Sequence, residues 1–71
     1  MTLDEIKALE KEVSKARFTL SQKASELHDL IEDRLPVAFE EIPILSQATY
    51  DACKHWHELN KKLQENKKNL Q

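Results

Sequence analysis

The chain contains two prolines, Pro36 and Pro43, and no glycine. Proline lacks the amide proton that a helix interior requires, and it biases the residue before it away from helical geometry. Both prolines lie in one short stretch, with helical periodicity on either side of it. This arrangement predicts a hinge between two long helices.

The first helical pattern opens on Thr2 and Glu5. This pair has the spacing of a capping box, in which the Thr hydroxyl and the Glu carboxylate satisfy free amides of the first turn. Ile6, Val13, Leu20 and Leu27 then recur every heptad, with Leu9, Ala16, Lys23 and Leu30 as the companion row three residues on. That is an a/d seam broken only at Lys23. The helix is predicted over about 3–34, roughly 45–50 Å at 1.5 Å per residue.

A second seam starts near Pro43, a residue suited to the first turn of a helix. Leu45, Ala52 and Leu59 form one row, and Thr49, Trp56, Leu63 and Leu70 the other. The second helix is predicted over about 43–68, and the polar tail after Leu63 is expected to fray.

A connector of roughly eight residues folds two such helices back antiparallel. The expected fold is therefore all-α: an antiparallel two-helix hairpin, with residues 1–71 as a single domain. Small scaffolds of this length usually need a staple or a partner. Phe18 falls outward on the first helix, Tyr50 and Cys53 lie beside the second seam, and Trp56 lies in it. These four are the candidate interface residues for a homodimer, in which two hairpins form a rod resembling a four-helix bundle.

Charged residues are 34% of the chain and aromatics 6%, a composition that would suit a disordered segment but for its regular apolar spacing. The single cysteine, Cys53, cannot form an internal disulfide, and a free thiol suits a reducing compartment. The amino terminus shows no basic region followed by an apolar run, and no stretch approaches the length of a membrane span. A cytoplasmic protein without membrane contact is expected. The formal net charge of −2 gives no global signal for nucleic acid. Charge is nevertheless uneven. Asp29, Glu32, Asp33, Glu40 and Glu41 surround Arg34 near the hinge, whereas five lysines face Glu58 and Glu65 between positions 54 and 68. The hinge end should be acidic and the carboxy-terminal end basic.

Taken together, Leu27-His28-Asp29-Leu30, Glu32-Asp33, Leu35-Pro36, Glu40-Glu41-Ile42-Pro43, Leu45 and Thr49-Tyr50-Asp51-Ala52 resemble the signature of the small Rop-like proteins, domain-of-unknown-function family 683. The similarity runs collinearly from about Ser25 to Leu63. It is specific, because heptads alone would not reproduce the connector. The resemblance implies a hairpin that dimerises, and a setting in nitrogen fixation: an accessory to nitrogenase components or to the assembly factors of its metal clusters. It does not supply a biochemical activity. Three departures mark a divergent member. Arg34 is an extra residue between Asp33 and Leu35, Cys53 stands where an aromatic is usual, and Phe39 stands where tryptophan is common. The first of these suggests an altered hinge.

His28 is the leading candidate for chemistry. Glu32 follows one helical turn later on the same face, and Asp29 is adjacent. Imidazole beside carboxylate can ligate a divalent transition metal such as nickel or zinc, and a dimer could unite two copies. The alternative is a structural hydrogen bond to Tyr50, which the hairpin places roughly opposite. The resemblance favours metal, because the family signature carries this histidine. Cys53 and His57, four apart, could likewise chelate a metal, but two ligands do not complete a site.

Catalysis finds no support in a glycine loop, a serine with a paired base or paired carboxylates in a cleft, so no enzyme is expected. Two further functions compete with the accessory role. A small metal carrier would use the same ligands. An RNA-binding regulator would use Phe18 and Gln22, with Lys7, Lys11 and Arg17 nearby. The stretch Ala16-Arg17-Phe18 with Ser21-Gln22 is similar to the first helix of the plasmid RNA-binding protein Rop. Asp29, however, brings negative charge to that face, and phosphate binding needs a continuous positive surface.

Overall fold

In a computed structural model, which describes residues 1–69, the chain is an antiparallel helical hairpin about 53 Å long and 13–14 Å across. Helix α1 spans Leu3–Asp29 and helix α2 spans Ile42–Asn69. Leu70, the last member of the predicted second seam, lies outside the described residues.

Helix α1 starts as expected. The Glu5 amide donates to the Thr2 hydroxyl at 3.2 Å, and the Thr2 amide donates back to the Glu5 carboxylate at 3.3 Å, which satisfies two amides that the first helical turn would leave free. From there the heptad rows set the packing. Ile6, Leu9, Ala16, Leu20 and Leu30 are buried, and Val13, Lys23 and Leu27 are half-buried. On α2, Leu63 is buried and Leu45, Thr49, Ala52, Trp56 and Leu59 are half-buried. Each predicted seam position among the described residues therefore faces inward. Ile6, Leu9 and Leu63 form the tightest cluster, flanked by Val13 and Leu59.

Two polar residues of the seams, Lys23 and Thr49, lie opposite each other. The Thr49 hydroxyl donates to the Leu45 carbonyl at 2.8 Å and reaches across the hairpin to the Lys23 carbonyl at 3.2 Å. The Lys23 ammonium turns away to Glu26, at 3.8 Å. A β-branched hydroxyl residue opposite a lysine thus replaces one apolar layer with a hydrogen-bonded one.

The hinge differs in detail from the expected connector. After Asp29 the backbone remains helical to Arg34, but as a π-helical turn, Leu30–Arg34. Such a turn closes on i→i+5 bonds and so holds one residue more than an α-turn. It accommodates Arg34 while leaving Leu30 fully buried in the seam. The Leu35–Pro36 peptide is cis. The Ala38 amide donates to the Arg34 carbonyl at 2.9 Å and the Phe39 amide to the Pro36 carbonyl at 3.3 Å. A 3-10 turn, Phe39–Glu41, then leads directly into α2. Pro43 is the second residue of that helix, within the first turn, where its missing amide proton costs no hydrogen bond. No described residue has positive φ, which explains how the chain turns without glycine.

The polar tail beyond Leu63, expected to fray, is helical through Asn69. The Asn66 side chain donates to the Lys62 carbonyl at 2.8 Å, and the Lys67 ammonium lies 4.0 Å from Glu10 across the hairpin. Asn66 continues the Leu45–Ala52–Leu59 row and is half-buried, so the seam persists where its residues become polar.

Candidate functional site

His28 lies on the last turn of α1, pointing away from the partner helix. Its Nε2 is 3.1 Å from the Glu32 carboxylate and its Nδ1 is 3.7 Å from that of Asp29. Glu32 belongs to the π-helical turn, so the pair straddles the change in helix type. The His28 side chain is 71% exposed. Among the described residues, His28 and Tyr50 share no hydrogen bond, and Tyr50 is exposed. The positions that a simple fold-back places opposite each other both carry side chains directed to solvent.

Cys53 and His57 are exposed one turn apart on α2, and Cys53 is a free thiol. Among the described residues no three His, Cys, Asp or Glu side chains gather into a potential metal site. His28 with Glu32, and Cys53 with His57, therefore each present two donors from one chain.

The interface candidates divide into two kinds. Phe18 and Tyr50 are exposed. Trp56 is half-buried within the hairpin, and the Arg17 guanidinium lies 5.9 Å from its ring centroid, a cation–π arrangement that covers one face of the indole. Among ionisable groups of the termini, Glu5 is held below the ordinary carboxylate value, first by the backbone amide of Thr2 and then by its hydroxyl. An open depression of about 530 Å³ on the outer side of α1 is lined by Lys7, Glu10, Lys11, Ser14 and Lys15. It is a furrow between long polar side chains.

The rows of the heptad do not identify one group of side chains. Ile31, Val37, Phe39 and Ile44 are all exposed, and all belong to the hinge end. They stand outside the a/d rows, and that was the available signal: an apolar residue in a connector, off the seam, has no partner within the hairpin.

No described helix is long and apolar enough to cross a membrane. A closed internal seam with apolar side chains left on its outside defines a small helical interaction protein. The Rop-like family model matches residues 4–68, both helices and the hinge between them, and the chain belongs to the Rop-like family. No match to a curated protein or to a solved structure was found.

Proposed function

We propose that this protein works without enzymatic activity, through protein contacts, as a cytoplasmic homodimer of two hairpins side by side. We further propose that its setting is nitrogen fixation, as an accessory to nitrogenase or to the assembly of its metal clusters. One observation carries the dimer. The hairpin exposes 5505 Å², whereas a compact monomer of its 8.3 kDa mass would expose about 4,600 Å². The excess, roughly 900 Å², is close to what one partner contributes to a standard interface, about 800 Å². Phe18 and Tyr50 supply apolar surface for it, and Rop-like family members form dimers.

Light scattering across micromolar dilution should return twice the 8.3 kDa chain mass, with a thermal midpoint that rises with concentration. A monomer of concentration-independent stability would overturn the dimer. Deletion of the gene in its host should impair growth on dinitrogen but not on ammonium; equal growth on both would remove the nitrogen-fixation setting.

The 3.1 Å approach of His28 to Glu32 favours a second reading, in which this pair starts a site for nickel or zinc. Water or a second copy would have to complete the coordination. Titrating either metal should shift amide resonances around residues 27–31 in the wild type and not in His28→Ala. Shifts confined to Cys53–His57 would move the site to the cysteine face. The RNA-binding reading is less well supported, because the column of α1 that carries Phe18 and Lys11 also carries Asp4, and Asp29 ends the helix with a second negative charge.

A further inference from the structure

We propose that the hinge end is a contact surface in its own right, shaped for a segment of another protein that combines lysine or arginine with apolar side chains. Four large apolar residues are displayed there: Val37 is 91% exposed, Ile44 68%, Phe39 60% and Ile31 56%. The fold does not require them in these places. Leu30 is fully buried at this end of the seam, and Leu35, Ala38, Ile42 and Leu45 are half-buried at the same end, so the burial there is supplied by a different set of side chains. Val37 and Phe39 lie in the connector, beyond the ends of the two α-helices, so a partner packed side by side along the helices leaves them outside that interface.

The surface is also preformed. Amides of Ala38, Phe39, Glu41 and Ile42 are bonded within the hinge itself, and no glycine loosens it. Little ordering entropy is then lost when a partner binds. Exposed apolar side chains grouped at one site mark interaction surfaces.

Charge selects the partner. Asp29, Glu32, Asp33, Glu40 and Glu41 cluster at this end, and its one arginine, Arg34, is paired with Glu41 at 3.4 Å. The residual field is negative. It repels nucleic acid and anionic lipid headgroups, and it repels the tip of a second copy. A basic apolar protein segment is attracted by the field and fills the apolar positions. This inference rests on the reading of the chain as an interaction protein, but it fails separately from the dimer, which light scattering measures on its own.

The test uses the full chain and a synthetic amphipathic peptide of lysine and leucine, followed by amide chemical shifts. Binding should shift residues 31–44 and weaken steeply with salt. A Val37→Ser/Phe39→Ala variant, with its dimer mass and thermal midpoint unchanged, should bind at least tenfold more weakly. Asp33→Asn/Glu40→Gln should weaken binding several-fold and flatten the salt dependence. A peptide with glutamate in place of lysine should not bind. Any one of four results overturns the proposal: no binding of the lysine peptide, equal binding by the Val37/Phe39 variant, shifts centred on Phe18 and Tyr50, or tighter binding to vesicles of anionic lipid. Tip shifts that arise on concentrating the protein alone would also overturn it, by assigning the surface to the basic end of a second copy.

Discussion

The two ends of the rod use their apolar residues in opposite ways. At the terminal end Ile6, Leu9 and Leu63 are almost wholly buried against one another, with Val13 and Leu59 packed on them. At the hinge end Leu30 is just as buried, yet Ile31, Val37, Phe39 and Ile44 are exposed at the same end. One end places Ile6, Leu9 and Leu63 where they hold the hairpin together and, among the described residues, leaves only Met1 and Leu3, at the chain start, among its large apolar side chains exposed. The other has a single fully buried leucine, with Leu35, Ala38, Ile42 and Leu45 half-buried, and displays the rest. Between them lies the Thr49–Lys23 layer, the one place where the seam is polar on both helices. Stability should therefore be concentrated toward the termini and recognition toward the hinge.

The largest effect expected is at the terminal end. Leu63→Ala removes a residue 5% exposed and should cost about 2–5 kcal/mol. The whole hairpin has only roughly 4–10 kcal/mol to lose at the usual stability per residue. Leu27→Ala, at a half-buried seam position nearer the hinge, should cost about 1 kcal/mol. Urea titration of both variants at one protein concentration checks the contrast. Equal losses would mean that stability is spread evenly along the rod.

A smaller effect is expected at the polar layer. Thr49→Val keeps the side-chain shape but removes the donor to the Lys23 carbonyl, and should cost about 1 kcal/mol. Adding Lys23→Leu should more than restore the loss by making the layer apolar; the exposed Lys23–Glu26 pair that it removes contributes little. Polar seam residues specify register at a cost in stability. The double variant should therefore melt higher while showing extra amide resonances from slipped pairings. A single clean set of resonances would show that the hinge alone fixes the register.

The layout of the hairpin was legible because burial in a long helix follows a period of about 3.6 residues. Ile6 through Leu30 and Leu45 through Leu63, Thr49 among them, could be placed on the seam without coordinates, and so could the break at Lys23. That Lys23 and Thr49 meet was not legible, because it depends on the offset between the helices, which the hinge sets. The hinge itself was read only as a position. Prolines locate a turn, but the π-helical widening over Leu30–Arg34 depends on how one additional residue is absorbed while Leu30 stays buried. The candidate site was legible by residue rather than by environment. One-turn spacing brought His28 to Glu32, since it requires only a helix. The predicted proximity of His28 and Tyr50 required side-chain directions as well, and both side chains point to solvent. The apolar tip was missed because the heptad rows drew attention to Phe18 and Tyr50 along the sides.

The smallest effect separates the two ends of α1. Its start is fastened by the Thr2–Glu5 box, whereas its other end passes into the π-helical turn with no side-chain cap on that turn. The Thr2 amide and hydroxyl hold the Glu5 carboxyl below its ordinary value of about 4.5. A carboxyl whose folded value is depressed contributes stability that is complete above the unfolded value and lost as pH falls through the folded one. Acidification below about 4.5 should therefore loosen the first turn of α1 and leave the hinge unaffected by this route. The protection of the Glu5 and Ile6 amides from exchange, after allowance for the slower chemical exchange at lower pH, should fall over that window, with the amides of Ala38 and Phe39 as the internal reference. Glu5→Gln should remove the pH dependence at the first turn, since the amide side chain does not titrate. If protection at the hinge fell in step with the first turn in the wild type, the two ends would be opening as one unit. The division of the rod into a stable end and a recognition end would then fail.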